Sequence, residues 1–547
     1  TKNYDAIKLL LSDNDWSFVQ QGLSLIEGLT ETVQDFLAFL ACPRDVDEYD
    51  TLDDIIDNAS STVAHKHKKR FTWWCINRLV DLDPSIAEQI ETVHLNSMNL
   101  EAFPERLFQF PNLKKLYLDN NSLTQVPSNI DFFEHLETLY LGNNNIHALP
   151  DSIGNLTKLT NITIYNNQLA TLPDSLGNLS ITSLDWGGNQ FVKIPSVLLK
   201  LPLKTLDLED TSIRTLPDEI CDMTTLETIY AYDGALIDLP DNIGNLTNLT
   251  YLMFEGCRIT RLPESIGNLH NLGSLDLSSN SVTELPDSIG NLTNLTHINL
   301  SGCPLETLPD SFTQLTALTH LKMNACGLHA LPENIGNMTV LQHLEICANA
   351  LTILPESMNQ LRNLKNLNLG LNPLHSIPEG LSTLTIYQRD WERLHQSICQ
   401  LTHMEALCVR GMGDVGMPKE IGNLVNLKEL YLRSCDLSTL PEEFGRLTQL
   451  EILYMEKNLL TTLPDSFRNL KSLKHLDMER NPFTEFPEAL LSLDQLEVLD
   501  ICESNISTVP DAIASMNSLR SLNLSDTQVA SETKEHLQKL LPNCTIF

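Results

Sequence analysis

Three histidines recur at a fixed spacing and are the residues of this chain that most suggest metal chemistry. His297, His320 and His343 lie 23 residues apart, and Glu345 follows the third by two positions. Neutral imidazoles on neighbouring strands lie close enough to share a metal ion. This column alone supports the hypothesis of a metal-dependent enzyme. We favour the alternative, in which the histidines are exposed members of a partner-binding surface, and predict no metal site.

One motif resembles a nucleotide site, and its context argues against that function. Residues 411–416 read Gly-Met-Gly-Asp-Val-Gly and match the G-x-G-x-x-G motif of dinucleotide-binding folds. Met404, Leu407 and Val409 keep a repeat spacing through this stretch, which leaves no room for a crossover helix. The sequence contains no P-loop, His-Glu-x-x-His or Gly-x-Ser-x-Gly motif. We therefore predict that the protein is not an enzyme and binds no cofactor.

Composition narrows the classes of partner. The chain has 547 residues, and its 36 Lys+Arg against 71 Asp+Glu give a formal net charge of -35. Such a surface repels phosphate backbones and anionic lipids, so we expect neither nucleic acid nor membrane-surface binding. No apolar run approaches the ~18 residues that span a bilayer. Twelve cysteines without a C-x-x-C pair, and no signal-peptide pattern at the start, predict free thiols and a cytoplasmic location.

From Ile90 onward a leucine-rich phrase recurs. The structure that this phrase forms must position the candidate functional residues. Clear copies occupy 136–146 and 295–305, and each is followed by a Leu-Pro pair and a phrase similar to Asp-Ser-Ile-Gly-Asn-Leu. Nineteen copies run from Ile90 to Leu519, mostly at a period of 23 residues. Burying the apolar side chains of one copy contributes roughly 10–20 kcal/mol of favourable free energy. Ordering its 23 residues costs about 23–46 kcal/mol in backbone conformational entropy. Copies must therefore stack to be stable.

This phrase resembles the leucine-rich-repeat pattern L-x-x-L-x-L-x-x-N-x-L-x-x-L-P-x-x-I-x-x-L over residues 88 to 547. The 23-residue form is similar to intracellular Ras-group scaffolds and to bacterial leucine-rich-repeat proteins. The resemblance implies an α/β fold: a leucine-rich-repeat solenoid, curved as a horseshoe or superhelix, with a parallel sheet on its concave side and an N-terminal α-helical cap.

Each copy of the phrase is expected to form one coil of the solenoid, and the side chain at one position of the phrase is expected to form hydrogen bonds that link neighbouring coils. In the family this residue satisfies backbone groups that would otherwise be buried unpaired. Nine copies place asparagine there: Asn121, Asn144, Asn167, Asn189, Asn280, Asn349, Asn372, Asn458 and Asn481. Four place cysteine there, and we interpret these thiols as buried core groups: Cys257, Cys303, Cys326 and Cys435.

The chain is predicted to have four parts. Residues 1–87 do not repeat and form a helical cap domain, which covers the first coil alone or also binds a partner. Residues 88–378 form the first repeat block, and 397–547 form the second with a C-terminal cap. Between them, a stripe from Leu381 to Leu401 at helical spacing predicts an inserted amphipathic helix over 379–396. This helix either packs on the convex side or acts as a hinge or docking element.

The outward strand positions differ between copies, as a partner-binding surface would. From Ile181 to Leu277 they are rich in carboxylates, with tyrosines among them and Lys204 as the only base within the strands. Aromatic anchors in an acidic field favour a partner with a basic surface. We predict that the principal site comprises Tyr165, Asp185, Asp207, Glu209, Asp210, Tyr230, Tyr232, Asp233, Tyr251, Glu255 and Asp276.

A second, mixed-charge face lies towards the C-terminus. It comprises Arg410, Tyr431, Arg433, Tyr454, Lys457 and Arg480. Together these patterns predict a non-enzymatic scaffold that binds protein partners on its concave strand face, in intracellular signalling or assembly. The alternatives are a secreted bacterial-type effector that uses the repeats to recognise host proteins, and the metal-dependent enzyme. The sequence predicts no oligomeric state.

Overall fold

The computed structural model describes residues 68–209 and 211–547. It divides into two compact units between Pro240 and Asp241. Most of the predicted cap domain, residues 1–67, lies outside the described residues, as does the candidate site residue Asp210. The first described helix, α1 (Lys68–Leu82), belongs to that cap.

Helix α1 lies against the first coil of the repeat. Phe71, Cys75 and Leu79 are buried, and the ring of Trp73 meets that of Phe110 edge-on with centroids 6.0 Å apart. The first coil would otherwise expose its apolar side to water, so this contact stabilises the open end of the stack.

Each repeat contributes one short parallel strand. The first unit contains a five-stranded sheet, β1–β5, and the pair β6–β7; the second contains β8–β21 in chain order. Pairing is in register, so that Leu116 lies opposite Leu139. The strands are β1 Thr92–His94, β2 Lys115–Tyr117, β3 Thr138–Tyr140, β4 Asn161–Thr163, β5 Ser183–Asp185, β6 Thr205–Asp207, β7 Thr228–Tyr230, β8 Tyr251–Met253, β9 Ser274–Asp276, β10 His297–Asn299, β11 His320–Lys322, β12 His343–Glu345, β13 Asn366–Asn368, β14 Thr383–Tyr387, β15 Ala406–Arg410, β16 Glu429–Tyr431, β17 Ile452–Tyr454, β18 His475–Asp477, β19 Val498–Asp500, β20 Ser521–Asn523 and β21 Thr545–Ile546.

Alternation within each phrase separates core from surface. In the coil that contains β3, Leu136, Leu139 and Leu141 are fully buried, whereas Thr138 and Tyr140 are only partly covered. Successive side chains of a strand point to opposite faces, so the leucines form the core and the residues between them face outward. The predicted α/β repeat solenoid is confirmed.

The asparagine position bridges neighbouring coils. The Asn144 side-chain amide donates to the carbonyls of Leu118 and Leu141, both at 3.0 Å, and its oxygen accepts the Leu123 N–H at 3.0 Å. Without these bonds the three backbone groups would be buried unpaired. The other eight predicted asparagines form equivalent bonds.

The turns opposite the strands are short 3-10 helices, such as Asp151–Asn155. A proline precedes most of them in an extended conformation, which lets the chain leave the Leu-Pro pair and enter the turn. Gly154 lies against the Ser175 carbonyl of the next coil, where a Cβ atom would collide with the backbone. The repeated Ile-Gly-Asn phrase is therefore a packing requirement.

The helix predicted over 379–396 is corrected by the structure. Residues Thr383–Tyr387 form strand β14, and helix α2 occupies Gln388–Ile398. Strand β14 pairs with β15 along its whole length, placing Leu384 opposite Leu407. The helix prediction before Gln388 is wrong because Leu381, Leu384 and Ile386 form a further copy of the leucine phrase.

The 40-residue interval between Leu364 and Met404 is therefore one shortened coil and one additional coil. Helix α2 replaces the 3-10 turn of the additional coil, and its Trp391 is fully buried. The sheet continues through this region, since β14 pairs with both β13 and β15. At the C-terminus, helix α3 (Ser531–Leu540) and strand β21 close the stack, and β21 pairs with β20.

Candidate functional site

The three predicted histidines lie on adjacent strands and form a column of stacked rings. Their register is direct, His297 opposite His320 and His320 opposite His343. Ring centroids are 4.3 and 4.4 Å apart, with planes within 12° and 13° of parallel. Burial lowers the pKa of His320, and the charges that His297 and His343 would carry lower it further.

Two threonine hydroxyls lie within hydrogen-bond distance of ring nitrogens in this column. Thr296 Oγ1 donates to the Gly273 carbonyl at 2.9 Å and lies 2.9 Å from His297 Nδ1. A hydroxyl has one proton to donate, so in the tautomer whose Nδ1–H donates to Thr296 the lone pair is on Nε2. Thr319 and His320 repeat this arrangement.

This geometry does not suit a shared metal ion. Lone pairs of parallel stacked rings point side by side, whereas zinc needs nitrogens converging at about 2.0 Å. Within residues 68–209 and 211–547, no group of three or more His, Cys, Asp or Glu side chains could hold a metal ion.

The glycines of residues 411–416 are used structurally. Gly411, Gly413 and Gly416 have positive φ angles of 81°, 57° and 64°. The Gly416 carbonyl accepts a hydrogen bond of 3.1 Å from the indole of Trp391 in helix α2. The loop therefore turns the chain after β15 and covers the helix that precedes it.

In the first unit, six of the predicted residues belong to the exits of β4–β7. We call Tyr165, Asp185, Asp207, Glu209, Tyr230 and Tyr232 the acidic cluster. Asp207 lies opposite Tyr230, and the rings of Tyr230 and Tyr232 stack with centroids 6.1 Å apart. Asp233 follows on the same loop with a positive φ of 45° and is exposed.

Like charges crowd the acidic cluster. Burial raises the pKa of Asp185 to about 6, and the carboxylates of Asp207 and Glu209 contribute to the rise. Burial and the charges of Asp119 and Asp185 raise the pKa of Tyr165. The base predicted in these strands, Lys204, pairs with Glu227 at 2.7 Å. An incoming cation would relieve this repulsion.

Tyr251, Glu255 and Asp276 belong to the second unit, so the predicted principal site is divided between units. Tyr251 is 48% exposed at the start of β8. Asp276 accepts hydrogen bonds from Ser278 Oγ at 2.6 Å and from Asn299 at 3.1 Å. Asp276 is therefore already hydrogen-bonded to residues of its own strand exit and of the neighbouring strand.

Four residues of the predicted second face line one groove. We call this concavity of about 850 Å³ the tyrosine groove. Its predicted members are Arg410, Tyr431, Arg433 and Tyr454, and its further lining residues are Gln388, Cys408, Val409, Gly411, Ser434 and Glu456. Sequence reasoning missed Glu456, although it lies 23 residues after Arg433 and therefore on the neighbouring strand exit.

The remaining two residues of this face are not groove-lining residues. Arg480 forms ion pairs with Glu503 at 2.6 Å and Glu479 at 3.2 Å. Lys457 has a positive φ of 57° in the turn after β17. The predicted second face is thus a groove with a separate charged flank.

An aromatic column on β1–β3 was missed by sequence reasoning. The ring centroids of His94 and Tyr117 are 4.2 Å apart, and those of Tyr117 and Tyr140 are 4.9 Å apart. The signal was available, because these three residues lie 23 positions apart.

The predicted core thiols are buried. Cys326 Sγ donates to the Leu300 carbonyl, and Cys435 Sγ to the Val409 carbonyl, each at 3.2 Å. Burial raises the pKa of both thiols to about 12, so they stay protonated near neutrality.

The chain belongs to the leucine-rich-repeat proteins. A family model described as "Leucine-rich repeat region" matches residues 241–327 and 389–480, and one described as "Leucine rich repeat" matches 88–146 and 486–529. A third, "Leucine Rich Repeat", matches 472–493. Such families are generally non-enzymatic binding modules, and the fold is typical of protein–protein interaction. No curated protein sequence matches the chain.

Solved leucine-rich-repeat structures are similar to the chain. The TDR receptor is 22% identical with a TM-score of 0.52, covering 82% of this chain and 87% of its own, which supports the fold. A leucine-rich-repeat protein of Leptospira interrogans is 25% identical (TM-score 0.43; 85% and 97% covered). The plant peptide hormone receptor RGFR1, solved with RGF2, is 28% identical (TM-score 0.49; 84% and 78% covered). Among the helices described in the structure, none is both long and apolar enough to cross a bilayer.

Proposed function

We propose that the protein is a non-enzymatic scaffold of the cytoplasm, which holds protein partners on its outward strand side chains in signalling or assembly. The observation that supports the proposal is that each coil separates buried core residues from outward-facing ones. Phrase leucines such as Leu206 are fully buried, whereas neighbouring outward residues such as Asp207 keep solvent contact. The outward positions are free to differ between coils without loss of the core.

The acidic cluster is the principal surface in this proposal, and its partner presents a basic surface. Asp185 and Asp207 repel each other, and stacked tyrosines lie beside them. A basic patch would gain both charge complementarity and aromatic contact area.

Affinity capture from the native cell tests this proposal. A variant with Asp207→Asn, Tyr230→Ala and Tyr232→Ala should lose a specific partner. The control is Glu219→Gln with Asp222→Asn, which changes exposed carboxylates on a 3-10 turn of the same unit. Circular dichroism of both variants establishes that they are folded. Capture that is equal for both variants would exclude the acidic cluster as the site.

A further inference from the structure

The floor of the tyrosine groove is a pair of parallel phenol rings. Tyr431 and Tyr454 lie opposite each other on β16 and β17, with centroids 5.3 Å apart and planes within 8° of parallel. Both side chains are only partly buried. The two rings cover one another, and His475 of β18 lies against Tyr454 with ring centroids 5.0 Å apart. The face of Tyr431 on the side of Cys408, its small neighbour on β15, is therefore the π platform on which a planar cation binds favourably.

A carboxylate in this groove lacks a partner for one of its oxygens. Glu456 is 8% exposed, and its Oε1 lies 3.4 Å from Arg433 Nε. Within the described part of the chain, its buried Oε2 has no hydrogen-bond partner. A buried acceptor without a donor is costly, so a ligand that supplies an N–H would be stabilised here. The side chain of Arg433 is 60% exposed and can shift to admit that donor.

Carboxylates, as well as the groove arginines Arg410 and Arg433, lie close to the two tyrosines. The Tyr431 hydroxyl donates to Glu429 at 3.0 Å, and Asp477 lies opposite Tyr454. Burial raises the pKa of Asp477 to about 6, and Asp500, Glu456 and Glu479 add to the rise. A cation bound at this point would favour ionisation of Asp477.

The molecule already shows a guanidinium on a tyrosine of this face. Arg410 Cζ lies 5.8 Å from the ring centroid of Tyr387, one strand before the groove. A guanidinium combines a planar face for stacking with several N–H donors in a fixed fork. An ammonium group offers donors without the planar face.

We propose that the tyrosine groove is a binding site for an arginine side chain of a protein partner. The guanidinium stacks on Tyr431 and donates to Glu456 Oε2. The inference rests on the proposed function, because it assumes that partners bind the strand face. It adds a site in the second unit and names the side chain that this site receives.

Peptide binding to the full chain tests the inference. The probe is acetyl-Gly-Gly-Arg-Gly-Gly-amide, compared with peptides that carry lysine or citrulline in place of arginine, at about 150 mM salt. Citrulline keeps the shape of arginine without its charge. We expect the arginine peptide to bind about tenfold more tightly than the citrulline peptide, with lysine between them. Equal affinities for arginine and citrulline would overturn the proposal.

Variants locate the binding. Glu456→Gln and Tyr431→Leu should each weaken arginine-peptide binding by about tenfold. The matched control Glu497→Gln, an exposed carboxylate of the same unit, should leave it unchanged. Binding should strengthen from about pH 5 to about pH 7 as Asp477 ionises, and Asp477→Asn should remove most of this dependence. Binding unaffected by Glu456→Gln would contradict the site.

The two proposals can fail separately. Loss of the partner in the acidic-cluster variant tests the proposed function without involving Glu456. Arginine-specific binding that depends on Glu456 tests the groove without a cellular partner.

Discussion

The acidic cluster of the first unit and the tyrosine groove of the second occupy equivalent positions in their repeats but differ in charge. Asp207 and Tyr454 are both the third residue of their strands, above fully buried leucines. In the cluster, the carboxylates of Asp185 and Asp207 repel each other. In the groove, Arg433 forms an ion pair with one oxygen of the Glu456 carboxylate, Oε1.

This difference shows which positions of a coil are constrained by folding and which are open to function. The leucines and asparagines are held by the core and by backbone hydrogen bonds, so both regions share them. The outward positions contribute little to that core, and one coil can carry an acid where another carries an arginine. The acidic cluster and the tyrosine groove therefore share one kind of scaffold and differ in their outward side chains.

The largest predicted effect concerns that scaffold. Asn167→Ala in the first unit and Asn458→Ala in the second each leave several buried backbone groups unpaired. We expect both to lower the free energy of unfolding by a similar amount, ~3–5 kcal/mol, measured by urea denaturation. Asn145→Ala, at an exposed position, is the control and should cost less than ~0.5 kcal/mol. A large cost in one unit only would show that the scaffolds differ.

Much of this scaffold could be predicted from sequence because the period fixes both burial and register. Once Leu136 and Leu139 are placed in the core, Asn144 follows at the bridging position and Tyr140 faces outward. The additional coil at Leu381 was hidden, since the coil before it is shortened and its leucines merge with the apolar stripe of helix α2.

The sites could be predicted only in outline. A spacing of 23 places Tyr431 beside Tyr454, and the same argument applies to the unpredicted pair Tyr117 and Tyr140. The unpaired oxygen of Glu456 depends on side-chain conformation and on where Arg433 lies, which residue spacing does not define. The division between units at Pro240 has no counterpart in the repeat pattern.

A second prediction concerns pH and sharpens the charge comparison. The pKa values of Asp185 and Asp477 are raised to about 6 by burial first and by neighbouring carboxylates next. The folded state therefore binds more protons than the unfolded state between the usual aspartate pKa and about 6, and stability falls as pH rises through that window.

Asp185→Asn and Asp477→Asn should remove this loss. Because both groups are partly exposed and screened by solvent, we expect each substitution to stabilise the protein by only ~1 kcal/mol at neutral pH. Urea denaturation across the window measures the effect, and the variants should show a flatter pH dependence. Salt should reduce the loss in the wild type, because it screens the repulsion that Asp185 and Asp477 receive from neighbouring carboxylates. A stability gain at low pH rather than at neutral pH would contradict the assigned cause.

The smallest predicted effect concerns the exposed ion pairs that flank both surfaces. Lys474 lies 2.6 Å from Glu451 in the second unit, and Lys204 lies 2.7 Å from Glu227 in the first. Exposed pairs gain little because water screens them and long side chains lose freedom. Lys474→Met and Lys204→Met should each lower the free energy of unfolding only slightly, by an amount that shrinks as salt rises. A larger, salt-independent cost for Lys204→Met would mean that this lysine stabilises the acidic cluster itself.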